Sequence, residues 1–192
     1  MCFFQCSNLE LTIPDSLKNA GTTPFTGCLM IIGHYGCPLE YEIKFERVPF
    51  VDIKELVSKL TYRLHTDGTI EITGIKGEPK QLLIPGYMEI QGKVYTVTAI
   101  SGEAFYDMKT LESVSLPGTI KSFGNRMFYG CENLKKVYLP DGLKEISGGM
   151  FSECSNLSNI AIPNSVQTIG DNAFRDCTGL ENVGLNGSLK SI

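Results

Sequence analysis

Short clusters of apolar residues, separated by glycine, proline and polar residues, recur with a period of 23 in the second half of the chain. One column of this repeat is aromatic: Phe105, Phe128, Phe151 and Phe174. Three further columns keep the same phase with aliphatic residues: Leu111, Leu134, Leu157 and Leu180; Val114, Val137, Ile160 and Val183; Leu116, Leu139, Ile162 and Leu185. A fixed period across several columns is the signature of a repeat architecture.

Each repeat predicts one coil of a solenoid. Residues 160–162 alternate apolar and small side chains, which is typical of a half-buried strand, and Pro163 ends that strand because it cannot donate to a ladder. Val166 and Ile169 then point inward from a second extended segment, and a tight arc brings Phe174 inward. A single coil cannot bury its own apolar edge, so successive coils must stack.

The N-terminal residues carry the same pattern in a degraded form, at Phe3, Cys6, Leu9, Pro14, Leu17, Phe25 and Cys28. Residues 1–36 are therefore predicted to be a degenerate repeat fragment. Residues 37–60 are predicted to be a connector and residues 61–192 the main repeat domain. Within the connector, residues 40–45 alternate like a strand. Helical apolar spacing over residues 52–60, with Asp52 as N-cap, predicts one short helix.

Residues 150–174, which read Met-Phe-Ser-Glu-Cys-Ser-Asn-Leu at their start and Ile-Gly-Asp-Asn-Ala-Phe at their end, resemble the BspA-like (Treponema-type) leucine-rich repeats almost position by position. The 23-residue coil falls within the leucine-rich-repeat range of about 20 to 29 residues. Residues 62–74, with Asp67-Gly68 as turn signal, resemble the hairpin that often opens such arrays. The predicted fold is a leucine-rich-repeat-like solenoid of short β-strands and turns, with an N-terminal β-hairpin and one short helix.

Composition argues against several functions. The chain has 192 residues and a net charge of −4, and its longest basic run is the Lys135-Lys136 pair, so nucleic acid is not an expected partner. Two histidines and no tryptophan leave few groups for acid–base chemistry, and no enzyme activity or cofactor is expected. No stretch approaches the roughly 20 apolar residues that span a bilayer, so no membrane insertion is expected. The first residues lack the features of a secretory signal.

The seven cysteines raise the question of a metal site or of disulfides. Their spacings match no common zinc pattern. Five of them occupy one repeat column, where a small apolar side chain explains them without chemistry: Cys6, Cys28, Cys131, Cys154 and Cys177. We therefore predict free structural thiols, with Cys131, Cys154 and Cys177 buried, and no metal. Cys2 and Cys37 stay unexplained.

Neither histidine lies in a catalytic motif, and His65 is expected to be a solvent-facing residue before a hairpin turn; His34 has no assigned role. Gly148-Gly149 is not followed by the lysine of a phosphate-binding loop, so the backbone freedom of glycine is the expected explanation of the pair. No catalytic residue is predicted.

Positions that point outward from the first strand of each coil form two parallel columns that can vary without breaking the solenoid. They are Ser113 and Ser115, Lys136 and Tyr138, Asn159 and Ala161, and Asn182 and Gly184. Exposed tyrosine is enriched at binding hot spots, so Tyr138 beside Lys136 is the first pair to test. The candidate partner-binding residues are Lys136, Tyr138, Asn159 and Asn182.

The prediction for function is a non-enzymatic binding module that presents its repeat sheet to a protein or glycan partner. The family resemblance implies a bacterial or protist surface or secreted protein, often one linked to adhesion to host proteins. The alternative is an intracellular structural or assembly scaffold, which the missing signal and the free cysteines favour. Head-to-tail self-association through the C-terminal coil is also expected, because the ladder side chains of a solenoid end need a cover.

Overall fold

The computed structural model describes the backbone of residues 10–12, 30–33, 50–185 and 187–191, and the side chains from Glu55 onward within these ranges. The chain divides into two compact units, residues 1–59 and residues 60–192. The predictions for the strand over residues 40–45 and for several side chains fall outside the described residues. These side chains are Cys2, Phe3, Cys6, Phe25, Cys28, His34 and Cys37.

The first unit contains a parallel sheet of three short strands. They are β1 (Glu10–Thr12), β2 (Met30–Gly33) and β3 (Phe50–Asp52), paired in chain order. Glu10 lies opposite Met30, and Ile31 lies opposite Phe50, so each step along the sheet takes about one coil of chain. The strand β3 comes from the segment predicted as a connector and joins the sheet of the predicted repeat fragment.

The helix α1 (Ile53–Lys59) follows β3 directly and lies within the range predicted to be helical. Leu56 and Val57 are half-buried, whereas Glu55 and Lys59 are exposed, as expected for an amphipathic helix. The Lys59 ammonium lies 2.6 Å from the Glu55 carboxylate one turn earlier. An exposed pair of this kind adds only a few tenths of a kcal/mol.

The second unit opens with the predicted hairpin. The strands β4 (Leu60–Leu64) and β5 (Thr69–Ile75) run antiparallel on either side of the Asp67-Gly68 turn. Gly68 has a φ of 82°, a left-handed conformation that glycine adopts without steric cost. The Asp67 carboxylate accepts hydrogen bonds from the backbone N–H and the hydroxyl of Thr69, at 3.0 and 2.7 Å.

A second hairpin enlarges the first turn of the solenoid. The strands β7 (Tyr87–Ile90) and β8 (Lys93–Ile100) pair through a turn at Gln91-Gly92, where φ is 52° and 77°. Two successive left-handed residues match the hairpin turn whose twist suits the flanking strands. The strand β8 also pairs in parallel with β5, which connects this hairpin to the opening one.

Four coils follow, and we number them coil 1 (residues 101–123), coil 2 (124–146), coil 3 (147–169) and coil 4 (170–191). Each carries a first strand, and the first turn contributes a fifth: β6 (Gln81–Leu83), β9 (Ser113–Ser115), β11 (Lys136–Tyr138), β13 (Asn159–Ala161) and β15 (Asn182–Gly184). Coils 1 to 3 carry a second strand: β10 (Ser122–Phe123), β12 (Glu145–Ile146) and β14 (Thr168–Ile169). Val114 lies opposite Val137, a step of one 23-residue repeat.

The core is made of the predicted ladders. Phe105, Phe128 and Phe151 are at most 1% exposed, and their rings stack in one column with Phe174 at centroid distances of 5.5, 5.8 and 5.5 Å. These distances lie in the favourable range for aromatic pairs, about 4.5 to 7 Å. The aliphatic columns are buried beside them, with Leu134 and Leu157 fully inaccessible. The phase predicted from the sequence is therefore confirmed.

An arc of turns precedes each first strand and holds the aromatic column. Each arc contains two residues with left-handed backbone four positions apart, such as Glu103 and Asp107 in coil 1, with φ of 59° and 57°. Alternate backbone N–H groups of one arc donate to carbonyls of the next: Glu103 to Asn125 at 3.0 Å, Phe105 to Met127 at 3.1 Å and Asp107 to Tyr129 at 2.7 Å. The same three bonds recur between coils 2 and 3 and between coils 3 and 4. The arcs therefore form the ladder that links all four coils.

Coil 4 is less buried than the coils before it, and the prediction that Cys177 is buried is wrong. Leu185 is 57% exposed, whereas Leu116 and Ile162 of its column are buried, and Cys177 is only half-buried, whereas Cys131 and Cys154 are buried. Burial in a solenoid comes from the two flanking coils, and coil 4 has a described neighbour on one side only.

Candidate binding surfaces

The first-strand face is the outward side of the first strands, and it carries all four candidate residues. Lys136 and Tyr138 are exposed on β11, Asn159 is exposed on β13, and Asn182 is exposed on β15. Asn159 and Asn182 lie directly opposite each other in the β13–β15 pairing. The alternation of the strands therefore places these side chains outward, on the side away from the ladder residues.

The described first strands form two separate sheets. One contains β6, β9 and β11, the other contains β13 and β15. A cleft of about 510 Å³ lies where the two sheets meet, lined by Lys135, Lys136, Val137, Tyr138, Asn156, Ser158 and Asn159. The structure thus brings three of the four candidate residues to one cleft, whereas Asn182 lies one strand away from it.

Ser115 belongs to one of the predicted outward columns, but it is only 7% exposed, which corrects that prediction. It lies between Leu83 on one side and Tyr138 on the other in the register of the sheet. Both neighbours have much larger side chains, so they shield a serine from solvent. In the column of Leu83, Ser115 and Tyr138, the first exposed side chain is therefore Tyr138, at 37%.

The cysteine column has a role that a small apolar side chain would not fill. The thiols of Cys131, Cys154 and Cys177 lie 3.2, 3.2 and 3.0 Å from the backbone carbonyl of the phenylalanine in the preceding coil, which accepts the S–H hydrogen bond. Burial raises the pKa of Cys131 to about 12 and also raises the pKa values of the other two. All three are free thiols, as predicted, and burial favours the protonated, less reactive form most strongly at Cys131 and Cys154.

Cation bridges join neighbouring coils at the surface. The Lys109 ammonium lies 2.7 Å from the Asp107 carboxylate and 2.5 Å from the Glu132 carboxylate of the next coil. Hydrogen bonds to these two carboxylates raise the pKa of Lys109 above its ordinary value. Because the group is about half exposed, the bridge contributes little to stability.

The described residues bear on the expectations for metal ligands, for His65 and for membrane-spanning helices. In the described part of the chain, no group of three or more His, Cys, Asp or Glu side chains could hold a metal ion. His65 is exposed and lies 3.7 Å from the Glu71 carboxylate. Over the same residues, no helix is long and apolar enough to cross a bilayer.

A second depression, of about 610 Å³, lies on the arcs, and sequence reasoning missed it. Its floor is the Gly148-Gly149 pair of coil 3, between Arg126 of coil 2 and Arg175 of coil 4. Gly149 has a φ of 62°, so backbone freedom explains this glycine as predicted. Gly148 is not in that region, and an added Cβ would meet its nearest neighbour at an ordinary 3.4 Å. The fold therefore does not require glycine at position 148.

The charges around this depression cancel. It is lined by the guanidinium groups of Arg126 and Arg175 and by the carboxylates of Glu145 and Asp171. The cleft on the first-strand face differs, because its lining contains two lysines and no carboxylate. Of these two depressions, the cleft is therefore the one whose lining carries an unbalanced charge.

Parallel coils of one period, stacked aromatic and aliphatic ladders and short first strands define a solenoid of leucine-rich repeats. The sequence model described as "BspA type Leucine rich repeat region" matches residues 1–34 and 92–192, with six copies. The chain belongs to this family. Leucine-rich repeats are in general binding modules, and their proteins generally bind other proteins.

Solved structures of bacterial leucine-rich repeat proteins resemble this chain. A Bacteroides capillosus protein is 30% identical over 67% of this chain and 95% of its own, with a TM-score of 0.61. A Bacteroides ovatus protein is 27% identical, with a TM-score of 0.57 over 69% of this chain. The T. pallidum protein TpLRR is 31% identical over 66% of this chain and 68% of its own, with a TM-score of 0.54. The chain spans 41% of the B. ovatus protein, and no curated protein matches it.

Proposed function

We propose that this chain is a non-enzymatic binding module that presents its first-strand face to a protein or glycan partner. The observation that carries the proposal is the cleft between β11 and β13, where Lys136, Tyr138 and Asn159 converge. A rigid stack of coils supports that face, so little order has to be gained on binding. The family resemblance favours a surface or secreted protein engaged in adhesion.

Tyr138 is the residue that tests this proposal. The chain is immobilised and screened against purified extracellular proteins and a glycan panel, and the Tyr138→Ala variant is compared for every ligand found. We expect the loss of an exposed aromatic hot spot to weaken binding by at least about tenfold. The matched control is Tyr87→Ala, because Tyr87 is 57% exposed on β7, outside the cleft lining. Equal binding by the parent and both variants would refute the proposal.

An intracellular assembly scaffold is the alternative, and the free thiols Cys131, Cys154 and Cys177 favour it. Cell fractionation with antibodies to this chain distinguishes the two. Accessibility to antibody on intact cells supports the adhesion function, whereas a chain found only inside the cell supports the scaffold.

We further propose that the 192-residue chain self-associates head to tail through its C-terminal coil. The exposed Leu185 and the half-buried Val183 of that coil support this proposal, because a stacked coil would cover them. Light scattering over a broad concentration range should show association that Leu185→Lys abolishes. A parent chain that stays monomeric at high concentration would contradict it.

A further inference from the structure

The cleft on the first-strand face carries a positive charge that its own lining does not neutralise. Lys135 and Lys136 line it together with neutral side chains only. The Lys135 ammonium lies 3.3 Å from the Glu112 carboxylate, which is outside the lining. Lys136 is exposed and has no ion pair with any described residue. One free ammonium group therefore stands at the mouth of the cleft, on a chain whose net charge is −4.

The charges around this site are ordered along the array. The column of Lys135 contains Glu112 in coil 1, Ser158 in coil 3 and Glu181 in coil 4. Glu181 lies two coils beyond Lys135 in this column. A ligand with negative charge is therefore attracted to coil 2 and repelled by Glu181 of coil 4, whereas the charge of the Glu112 carboxylate is offset by the Lys80 ammonium, 3.7 Å away, as well as by Lys135. This arrangement favours a short anionic segment over a long one.

The opposite wall of the cleft offers hydrogen bonds. Asn156, Ser158 and Asn159 of coil 3 supply two amides and a hydroxyl, which both donate and accept. These groups suit the backbone amides of a peptide in extended conformation. Beside them, the half-exposed ring of Tyr138 offers an apolar and aromatic surface.

We propose that the cleft binds an extended acidic peptide segment of a protein partner, with one or two carboxylates at Lys136 and an apolar or aromatic residue against Tyr138. This inference rests on the proposed function and names its partner chemistry. A sulfated polysaccharide also carries negative charge, but it needs a longer basic stripe than these lysines provide, since Glu112 interrupts them and Glu181 follows them. The acidic peptide is therefore the ligand that the charges favour.

The test is a selection of random peptides, displayed on phage, against the immobilised full chain. We expect enrichment of sequences that combine Asp or Glu with an aromatic residue. The winning peptide is then synthesised, together with an analogue in which Asn and Gln replace its acidic residues. By fluorescence anisotropy, the analogue should bind at least about tenfold more weakly, and binding of the acidic peptide should weaken with added salt.

Lys136→Met locates the site, because methionine keeps most of the apolar stem and removes the charge. We expect this variant to lose about as much affinity as the amide analogue does. Lys144→Met is the matched control, since Lys144 is exposed in the same coil but does not line the cleft. Thermal melting of both variants checks that the fold is intact.

Three results would overturn the inference: no acidic enrichment, equal affinity of the amide analogue, or unchanged binding by Lys136→Met. Tighter binding of a heparin hexasaccharide than of any selected peptide would also overturn it. These failures are distinct from failure of the proposed function. If Tyr138→Ala abolishes capture of a purified partner while no acidic peptide binds, the proposed binding function is retained and only the proposal of an acidic peptide ligand is rejected.

Discussion

Replacement of Phe151 by alanine is the perturbation that most directly probes the stacking of the coils. The ring is fully inaccessible and lies between Phe128, at 5.8 Å, and Phe174, at 5.5 Å. Deletion of a buried phenylalanine side chain costs about 3 to 5 kcal/mol of unfolding free energy. We expect the upper half of this range, because the coils on both sides are held by arc hydrogen bonds and cannot collapse into the hole.

Phe174 provides an internal comparison. It is only half-buried and, among the described residues, stacks with Phe151 alone. Each aromatic pair contributes about 0.5 to 1.5 kcal/mol beyond burial. Phe174→Ala should therefore cost at least about 1 kcal/mol less than Phe151→Ala.

Urea denaturation followed by circular dichroism measures both variants, with tyrosine fluorescence as a second probe. Coincident transitions by the two probes justify a two-state analysis. A loss under about 1 kcal/mol for Phe151→Ala would mean that the ring is not enclosed by its neighbours. An equal loss for Phe174→Ala would contradict the argument that two flanking coils bury the column.

Three further predictions concern the thiols, the arc glycines and the opening hairpin. Native alkylation followed by mass spectrometry should label Cys177 before Cys154, because Cys154 of coil 3 is the more deeply buried thiol, and burial both raises its pKa and blocks access of the reagent. Rapid labelling of both thiols would contradict this prediction. In denaturation experiments, Gly124→Ala should lower the free energy of unfolding by at least about 1 to 3 kcal/mol, because the added Cβ would lie 1.9 Å from a backbone nitrogen. Gly118→Ala is the control and should be nearly neutral, because a Cβ added there meets nothing within 4 Å. Hydrogen bonds from Thr69 hold the pKa of Asp67 below its ordinary value, so the turn is stabilised at pH values above that ordinary pKa and loses this stabilisation as pH falls through the lowered pKa. The protection factors of the amides at the turn should then fall, and a pH-independent protection factor would refute the assignment.

Much of the fold could be predicted because inward residues must match between coils. The aromatic column fixes the phase, and the strand predicted at residues 160–162 is observed at Asn159–Ala161. The Asp67-Gly68 hairpin was also predictable, because few dipeptides suit its turn. In these places the local sequence preference and the tertiary packing favour the same conformation.

The left-handed backbone conformation of the arc residues could not be predicted from the sequence. Their first column contains Glu103, Arg126, Gly149 and Asn172, and only the last two are typical of that conformation. The interlocking hydrogen bonds between arcs impose it on the charged residues. Conformational propensity is a property of a single residue type, so it does not reflect a constraint that a neighbouring coil imposes on the backbone.

The candidate site was predictable only in part for the same reason. The alternation of inward and outward residues was enough to predict that Tyr138 and Asn159 lie on the first-strand face. The separation of the sheet between their strands depends on backbone geometry, which no side chain in the sequence indicates. Ser115 shows the converse, since its burial is decided by the size of Leu83 and Tyr138 on adjacent strands.

The ladder between the arcs gives the array a direction. At each junction from coil 1 to coil 4, three arc bonds run from an N–H of one coil to a carbonyl of the coil that follows it, whereas the N–H of Asn156 donates to the carbonyl of Glu132 in the preceding coil. Whole coils can be gained or lost without changing the pairing at any other junction, whereas an insertion inside one arc disturbs the junctions on both sides of it. The length of such an array is thus free to change during evolution in units of one repeat, while its polarity is not.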